Sequence, residues 1–546
     1  MKILFGIFLT LIGFQFFDMP QAIALDVKEF ESLAIQDGGR VKPFDTFARE
    51  SVQVLTGSTV SQGKSPTELV LAWLFIPNEW SNKDFISIKH LQLKKDLGLP
   101  ETQNYVSPMG LVHNPKLAPL FAKLNQLQKD KKKLDPYQQA VQRINTQLAL
   151  YQEIISGQAL RILPQAISPD WIPLAELQGE PRKTFEKVVE GYFSGITKND
   201  DSLFKSSVVD FKSMARAVAP RVYPSDNQLQ MEMTYNKMHP FRLAYIFYLI
   251  SAFIFVFSLK FPKQNSLHKT ALGVMIAGWC VHVVGFAFRC YIAGRPPVSN
   301  MYESVIWVSL GCLTFGLIFE LIYKRNYIGL AATSVATICL IIGDSVPAVL
   351  DQSIRPLEPV LRSNYWLTIH VLTITLSYAA FALSMGIGNI ALSYYVRGIE
   401  EQNKEKLQAL ALFLYRAVQV GVLLLTAGTI LGGVWADYSW GRFWGWDPKE
   451  TWALIADLGY LAVLHGRFSG WLRTFGTIAA TVCCFTGVVM AWYGVNFVLG
   501  VGLHSYGFGG GGVHYVTSVV VIQLLYVAWA GFQHKKVLNK TTSANA

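Results

Sequence analysis

Charged residues are scarce in this chain of 546 residues, making up 16% of it while apolar residues make up 51%. Soluble domains typically carry about 25% charged residues, so a wholly water-soluble protein is excluded. The same composition excludes a disordered or a collagen-like chain. The scarcity is uneven, because residues 26–240 have the composition of a polar globular segment and residues 241–533 contain one apolar run after another.

Cysteine is also rare, and its placement excludes two classes of protein. None of the six cysteines falls in residues 26–240, so disulfides do not hold that segment together. The sequences C-x-x-C and C-x-x-C-H are both missing, which excludes a covalent c-type cytochrome and a thioredoxin-like reductant. A Walker A sequence is missing too, so ATP-driven transport by this chain alone is not supported.

The formal net charge is +11, from 48 Lys and Arg against 37 Asp and Glu. These basic residues are scattered between apolar runs instead of being clustered on one face. In a membrane chain this pattern sets topology. We therefore expect the protein to lie in a lipid bilayer, and we do not expect it to bind nucleic acid.

The first 24 residues resemble a secretory signal, with Lys2 ahead of an apolar stretch from Ile3 to Phe17 and a small-x-small sequence ending at Ala24. A retained membrane anchor is the alternative. Both interpretations predict that the segment 25–240 is exported. Because no apolar run in it could span about 30 Å of hydrocarbon, we expect a soluble extracytoplasmic domain there.

Helical periodicity covers residues 117–156 and is interrupted by a Lys-rich turn at 129–133 and by Pro136. This pattern predicts a helical hairpin within the exported domain.

Nine apolar segments from Phe241 onward have lengths that suit a bilayer crossing. They cover 241–259, 271–291, 303–323, 328–349, 366–395, 408–434, 451–466, 472–497 and 514–532. If the exported domain enters the first segment from outside, the inner connections hold thirteen Lys and Arg and the outer ones six, as the positive-inside rule requires. The predicted fold is an all-α polytopic membrane bundle of about nine transmembrane helices over 241–535. It has an N-terminal, largely helical extracytoplasmic domain and a cytoplasmic tail at 536–546.

Tryptophan is concentrated in a predicted outer connection, residues 435–452, which holds five of the 14 Trp. An interfacial aromatic belt is the alternative, but a belt has no need of the intervening Gly441 and Gly445. Glycine lets a flat group approach the backbone, and Trp444 and Trp446 offer broad apolar faces for stacking. The pattern favours a binding surface for a large planar hydrophobic ligand.

Two of the ten histidines flank this cluster at the same predicted face, His370 near the end of its span and His504 in a Gly-rich loop. A third, His282, lies near the middle of a span, where an imidazole is costly unless it has a partner. Neutral imidazole ligates haem iron, so these three are candidate iron ligands. Helix packing is the alternative for each, and His239 and His514 are substitutes near the same face.

The stretch from Trp440 to Trp452, W-G-R-F-W-G-W-D-P-K-E-T-W, resembles the WWD signature of haem-handling proteins of the CcsA/ResC, CcmC and CcmF types. Three further stretches resemble CcsA. They are Tyr365–Val371 with Ser377 and Tyr378, like the first external haem-ligand segment, Asn496–Gly507, like the second, and His282–Ser304, like the segment with the intramembrane His. The resemblance covers roughly residues 270–532.

The resemblance implies a function in cytochrome c assembly. The chain would bind haem b as substrate and bound ligand, carry it from the membrane to the outer face, and promote its thioether attachment to the C-x-x-C-H site of apocytochrome c. It would be a component of a cytochrome c synthase. A haem transporter or exporter without ligation is one alternative, and a membrane scaffold whose Trp loop docks partner proteins is another.

The resemblance also implies roles for individual residues. His370 and His504 would hold the iron from opposite faces, and His282 would hold it inside the membrane. The catalytic platform that presents the vinyl edges would consist of Trp440, Trp444, Trp446 and Asp447, with Gly441 and Gly445 contacting the porphyrin.

Finally, the resemblance implies partners and a location. The partners are a CcsB/ResB-like membrane protein, apocytochrome c and a thiol reductant system. The location is the bacterial inner membrane, with the N-terminal domain and the Trp-rich loop on the periplasmic side. In fused relatives a CcsB part with several spans precedes CcsA and supplies its own intramembrane His. Nothing before Phe241 in this sequence resembles those spans. His282 is therefore expected to need a partner from another chain or from another position here.

Overall fold

A computed structural model describes residues 25–59, 61–130, 134–261, 263–345, 350–357, 363–502 and 512–545. The chain forms two compact units, the first ending at Met233 and the second beginning at Thr234. The predicted signal segment, residues 1–24, lies outside the described residues.

Short strands and helices alternate in the first unit. Its strands are β1 Ala34–Asp37, β2 Arg40–Pro43, β3 Ile86–Ser87, β4 Tyr105–Val106, β5 Arg161–Leu163 and β6 Ile172–Pro173. Its helices are α1 Lys28–Glu31, α2 Phe44–Thr56, α3 Pro66–Phe75, α4 Pro77–Trp80, α5 Leu91–Leu97, α6 Pro108–Val112, α7 Leu117–Lys129, α8 Pro136–Ile155, α9 Gly179–Lys198 and α10 Ser202–Val218, with α11 Asp226–Met238 running across the boundary between the units.

An antiparallel sheet in the order β2-β1-β5-β6 was not predicted, because its strands are only two to four residues long. β1 and β2 form a hairpin whose turn residues Gly38 and Gly39 both have positive φ, as a tight two-residue turn requires. The predicted helical hairpin is confirmed as α7 and α8. Asp135 and Gln138 start α8 with a capping box, in which each side chain accepts a hydrogen bond from the other residue's backbone N–H.

The second unit is built almost wholly from long helices. They are α12 Pro240–Lys260, α13 Asn265–Ala293, α14 Met301–Tyr323, α15 Tyr327–Ser345, α16 Asn364–Val396, α17 Lys404–Trp440, α18 Pro448–Phe468, α19 Thr474–Leu499 and α20 Val513–Asn545. Each predicted span coincides with one of them. Within the described ranges, eight helices are long and apolar enough to cross a membrane, which makes this a multi-pass membrane protein. The predicted span 451–466 forms as α18, which is not among the eight and carries Asp457 near its middle.

Small residues let these helices approach closely. A Cβ atom on Gly316 of α14 would lie 2.2 Å from the Cβ of Ala332 on α15, and one on Gly421 of α17 would lie 2.4 Å from the ring of Phe381 on α16. Phe381 in turn stacks on Tyr460 of α18, with ring centroids 3.8 Å apart. Such contacts replace the hydrophobic driving force that is missing between helices in lipid.

Candidate functional site

His370 lies on a π-helical turn, Leu367–Val371, near the N-terminal end of α16. A π turn holds one residue more than an α turn and is frequent at functional sites. The extra residue changes the direction of the side chains around it. The imidazole of His370 is half-buried there, against the neighbouring helix α17.

A backbone carbonyl selects the tautomer of His370. Nδ1 of the ring lies 2.8 Å from the carbonyl oxygen of Gly428 on α17. Because a carbonyl oxygen only accepts, Nδ1 carries the proton and donates it. In the neutral ring the lone pair is then on Nε2, and a His held in this way by its other nitrogen is the usual form of a metal-ligating imidazole.

Glycines on α17 make room for this ring. A Cβ atom on Gly432 would lie 2.5 Å from Cε1 of His370, and one on Gly428 would lie 2.8 Å from Cα of Ile374. Further along the same helix, the buried Trp435 sits with its ring centroid 5.7 Å from that of His370. Sequence analysis did not identify these glycines, although their four-residue spacing on a predicted helix was an available signal.

The Trp-rich connection is shorter than predicted. Helix α17 runs to Trp440, six residues past the predicted end of its span, and stops where Gly441 adopts a left-handed φ of +69°. Helix α18 starts at Pro448. The connection therefore contains only residues 441–447, which we call the WWD loop. The prediction that Trp435 and Trp440 lie in a connection was wrong, because helical hydrogen bonding continues to a glycine that permits the turn. Trp452 lies in α18, within the predicted span 451–466.

The carboxylate of Glu450 holds the WWD loop in shape. Its Oε2 accepts hydrogen bonds from the backbone N–H of Gly445 at 2.8 Å and of Asp447 at 3.2 Å. Its Oε1 lies 3.5 Å from the guanidinium of Arg442. That guanidinium also packs on Gly445, where any Cβ atom would overlap it. The missing side chain of Gly445 thus accommodates Arg442.

The indoles of this region differ in exposure. Trp440 is half-buried, with the Arg442 guanidinium 6.0 Å from its ring centre, within reach of a cation–π contact. Trp444 is also half-buried and forms an edge-to-face pair with Trp446 at 5.8 Å. Trp446 is 70% exposed and has a φ of +56°. A left-handed backbone costs a non-glycine residue about 1–2 kcal/mol, so the loop holds this indole towards solvent against local strain.

Asp447 is buried and caps a helix. Its Oδ1 accepts from the N–H of Lys449 at 3.0 Å, within a capping box that includes Glu450. Its Oδ2 also faces Gly502, where a Cβ atom would lie 2.3 Å away. Gly502 is two residues ahead of His504 in the sequence, so the WWD loop borders the start of the segment that carries His504. His504 itself lies outside the described residues.

Lys449 belongs to the Trp440–Trp452 stretch, and sequence analysis gave it no individual role. It is partly exposed and precedes the apolar run of α18. Desolvation by the surrounding protein lowers the pKa of Lys449 to about 8, against the opposing influence of Asp447. This amine therefore exchanges its proton closer to neutral pH than an ordinary lysine does.

His282 is fully buried in the bundle, and both of its ring nitrogens have partners. Nε2 donates to the carbonyl oxygen of Ile306 at 3.1 Å, and Nδ1 lies 3.0 Å from the hydroxyl of Tyr248. The structure therefore places the intramembrane His in a setting where both ring nitrogens are hydrogen-bonded. Its use as an iron ligand stays a prediction and would require one of these bonds to open.

A buried ion cluster was not foreseen. Glu303 at the start of α14 accepts from Arg289 at 3.1 Å and from Arg295 at 3.1 Å, and all three side chains are at least nine-tenths buried. Glu303 also accepts from the backbone and the hydroxyl of Ser299. One carboxylate between two guanidiniums leaves a buried excess of one positive charge. The arginines were visible in the sequence, but their convergence on Glu303 was not.

A second π-helical segment, Met490–Leu499, ends α19 a few residues before His504 in the sequence. Trp492 in this segment donates its indole N–H to the hydroxyl of Ser304 at 2.9 Å. The side-chain oxygen of Asn496 is buried without a hydrogen-bond partner among the described residues. A buried amide oxygen of this kind calls for a polar group from outside those residues.

Comparison with known proteins matches the part of the chain that contains these residues. Residues 298–504 match the protein family described as Cytochrome C assembly protein. The cytochrome c biogenesis protein CcsA of Prochlorococcus marinus strain NATL2A is 37% identical over 254 residues, 40% of this chain and 79% of that protein. The chain belongs to the CcsA family of cytochrome c biogenesis proteins. CcsA of Synechococcus sp. strain CC9902 is similar as well, with 36% identity over 251 residues, 40% of this chain and 80% of that protein.

Similarity to one other relative extends beyond the CcsA region. Protein NrfI of Wolinella succinogenes is 28% identical over 509 residues, 88% of this chain, so the chain spans about half of NrfI, 54% of its length. Among solved structures, the cytochrome c heme lyase CcmF gives a TM-score of 0.37 at 14% identity, over 54% of this chain and 50% of that one. Within the CcsA-family match, residues 298–504 include His370, the WWD loop and His504, whereas His282 lies before it.

Proposed function

We propose that this CcsA-family protein binds haem b and presents it for thioether attachment to apocytochrome c. His370 and His504 are the axial ligands in this proposal, and His282 is a ligand at an earlier, intramembrane position. The bundle crosses the bacterial inner membrane with the WWD loop and the N-terminal domain on the periplasmic side. Haem is the substrate of the reaction and also the bound ligand.

The setting of His370 is the observation that carries the proposal. Its Nδ1–H is committed to the carbonyl of Gly428, and the ring is held between Gly432 and Trp435. This arrangement provides an imidazole whose Nε2 has the lone pair that iron requires and whose other nitrogen is held by a backbone carbonyl.

The WWD loop and the end of α19 offer groups that would suit a porphyrin. Trp444 and Trp446 form an edge-to-face pair in which the second indole faces solvent. The buried side-chain oxygen of Asn496, which has no hydrogen-bond partner among the described residues, offers an acceptor. Two imidazole ligands saturate haem iron and leave no site for oxygen. The contact of Asp447 with Gly502 supports a common location for the WWD loop and the second ligand segment.

The chemistry asked of the chain is mainly positioning. A thiol of the acceptor adds across a haem vinyl group, so a C–S bond forms, the C=C π bond is lost and the thiol hydrogen passes to the other vinyl carbon. No net oxidation or reduction occurs. Holding vinyl and thiol together makes the step effectively unimolecular. Trp440, Trp444 and Trp446 position the porphyrin, and Asp447 fixes the loop. Gly441 allows the turn at the end of α17, and Gly445 leaves room for Arg442.

A CcsB/ResB-like membrane protein, a thiol reductant system and apocytochrome c are the partners in this proposal. In the full cytochrome c synthase, the CcsB-like chain would supply a counterpart to His282. The reductant keeps the acceptor cysteines as thiols, the state that the addition requires.

The haem spectrum of the purified full-length protein tests the ligand assignment. The wild type should show six-coordinate bis-His haem, and His370→Ala and His504→Ala should each lose or alter it. The matched control is His465→Ala, a histidine hydrogen-bonded within its own helix at the far end of α18. Unchanged bis-His haem in both ligand variants would show the assignment to be wrong.

Ligation is separated from transport by reconstitution. The protein and a CcsB-like partner would be expressed, with a C-x-x-C-H acceptor, in a host that lacks other assembly systems. Covalent holocytochrome supports the synthase. Haem bound to the protein without covalent product would favour a transporter or exporter, and absence of haem would favour a docking scaffold.

A further inference from the structure

The first turns of α14 bond to all three segments associated with the predicted haem ligands. The carbonyl of Ile306 accepts from His282, and the indole N–H of Trp307 donates to the carbonyl of Leu372 at 3.3 Å. The hydroxyl of Ser304 accepts from Trp492. Leu372 directly follows the π turn with His370, and Trp492 lies in the π segment that leads to His504.

The groups that form these hydrogen bonds are buried or half-buried, so losing one partner leaves the other unsatisfied. Ser304 and Ile306 are buried, and both indoles are half-buried. The ring of Trp307 lies 5.1 Å from that of Phe286, and the ring of Trp492 lies 5.9 Å from that of Tyr378. An indole N–H held among such rings needs its acceptor, because water does not easily replace it.

The helix that receives these bonds is itself anchored. Glu303 precedes Ser304 and binds Arg289 and Arg295. The Arg289 guanidinium also donates to the carbonyls of Gln352 and Ser353, and Arg295 donates to that of Arg355. The start of α14 is therefore tied both to the end of α13 and to the connection that precedes α16. The two π segments, by contrast, depart from regular α-helical hydrogen bonding, as is frequent at functional sites.

We propose that Trp307 and the Ser304–Trp492 pair are positioning residues that set the geometry of the His370 imidazole and of the π segment Met490–Leu499. Residues 303–307 of α14 act as the common reference for both π segments and for His282. This inference rests on the proposed function, because it concerns the same haem site. The inference goes beyond the proposed function because it assigns the geometry of the site to residues other than the haem ligands.

The test uses the purified full-length protein and hydrogen-bond deletions that keep the packing. Trp492→Phe and Ser304→Ala each remove the same bond, and Trp307→Phe removes the other. Trp279→Phe is the matched control, because its indole N–H also donates to a hydroxyl of α14, but to that of Thr314 at 3.0 Å, ten residues beyond Ser304. Haem affinity and the EPR spectrum of the ferric haem, which depends on the relative orientation of the two imidazoles, are measured.

Each deletion should weaken haem binding roughly fivefold, as expected for one hydrogen bond, and should change the EPR spectrum. The double variant of Ser304 and Trp492 should be no weaker than either single variant, because both changes break one bond. Adding Trp307→Phe should weaken binding further. Ser304→Thr retains a hydroxyl and should restore the wild-type spectrum, and Trp279→Phe should resemble wild type.

The outcomes separate this inference from the proposed function. If His370→Ala binds haem with wild-type affinity and an unchanged spectrum, the proposed function fails. If haem depends on His370 but the three deletions match Trp279→Phe in affinity and spectrum, the positioning inference is overturned while the proposed function stands. Should Trp492→Phe fail to yield folded protein, the smaller change Ser304→Ala carries the same test.

Discussion

The imidazole of His370 packs so closely against Gly432 that no side chain fits at position 432. A Cβ atom on Gly432 would lie 2.5 Å from Cε1 and 3.0 Å from Nδ1 of the imidazole. The ring meets helix α17 at this point, and its Nδ1–H reaches the carbonyl of Gly428 one turn away. A helix glycine is thus part of the setting of a predicted iron ligand.

The first prediction is that Gly432→Ala displaces the imidazole of His370. The added methyl group overlaps the ring, so bis-His haem should be lost or shifted although His370 is still present. Gly273→Ala is the control, because a Cβ atom at Gly273 has open space around it. In a helix interior that change should stabilise slightly, by up to about 1 kcal/mol. Optical spectra and thermal unfolding in detergent measure both effects, and equal spectra would contradict the prediction.

A second prediction concerns the strained backbone of Trp446. Trp446→Gly removes the indole and also the left-handed strain, so it should raise stability by about 1 kcal/mol. The same change should lower cytochrome c maturation, because the exposed aromatic face is gone. Trp446→Phe keeps a ring and should retain more activity than the Gly variant. Holocytochrome yield and unfolding temperature are measured in parallel, and normal maturation in Trp446→Gly would favour an interfacial belt.

The third prediction separates capping from chemistry at Asp447. Asp447→Ala should cost about 1 kcal/mol through loss of the helix cap and should lower maturation. Asp447→Asn and Asp447→Ser keep a capping oxygen and should preserve most of both properties. The measurements are unfolding temperature and holocytochrome yield. A stable Asp447→Asn variant without maturation would instead show that the negative charge itself is needed.

The fourth prediction is a pH dependence that arises from Lys449. Its pKa is about 8 in the folded protein against an ordinary value of 10.5. Between these values the unfolded chain holds more protons than the folded one, so stability rises with pH across that window. Below about pH 8 the amine is charged in the folded protein, and the cost of desolvating it lowers stability in full. Lys449→Met should lack the rise, and unfolding curves of the two proteins that run parallel from pH 7 to 10 would contradict this.

Much of the fold was available from hydropathy. Every predicted span corresponds to a helix, because a run of apolar residues long enough for a bilayer has helix as its only self-satisfied conformation. The ends were less accurate. Helix α17 runs on to Trp440 because composition does not reveal how far a polar, Trp-rich stretch continues to form helical hydrogen bonds. The sheet of the first unit was missed because its strands are too short to show a period.

The amino-acid sequence alone determined the family pattern and the membrane character. It also pointed to His370, His504 and the Trp-rich stretch as the region of interest. These follow from residue type and local spacing. Only the tertiary structure decided that Gly428 and Gly432 hold the imidazole, that Asp447 caps a helix beside Gly502, and that α14 bonds to three distant segments. Such relationships join residues up to 188 positions apart, and only the packing of separate helices brings them together.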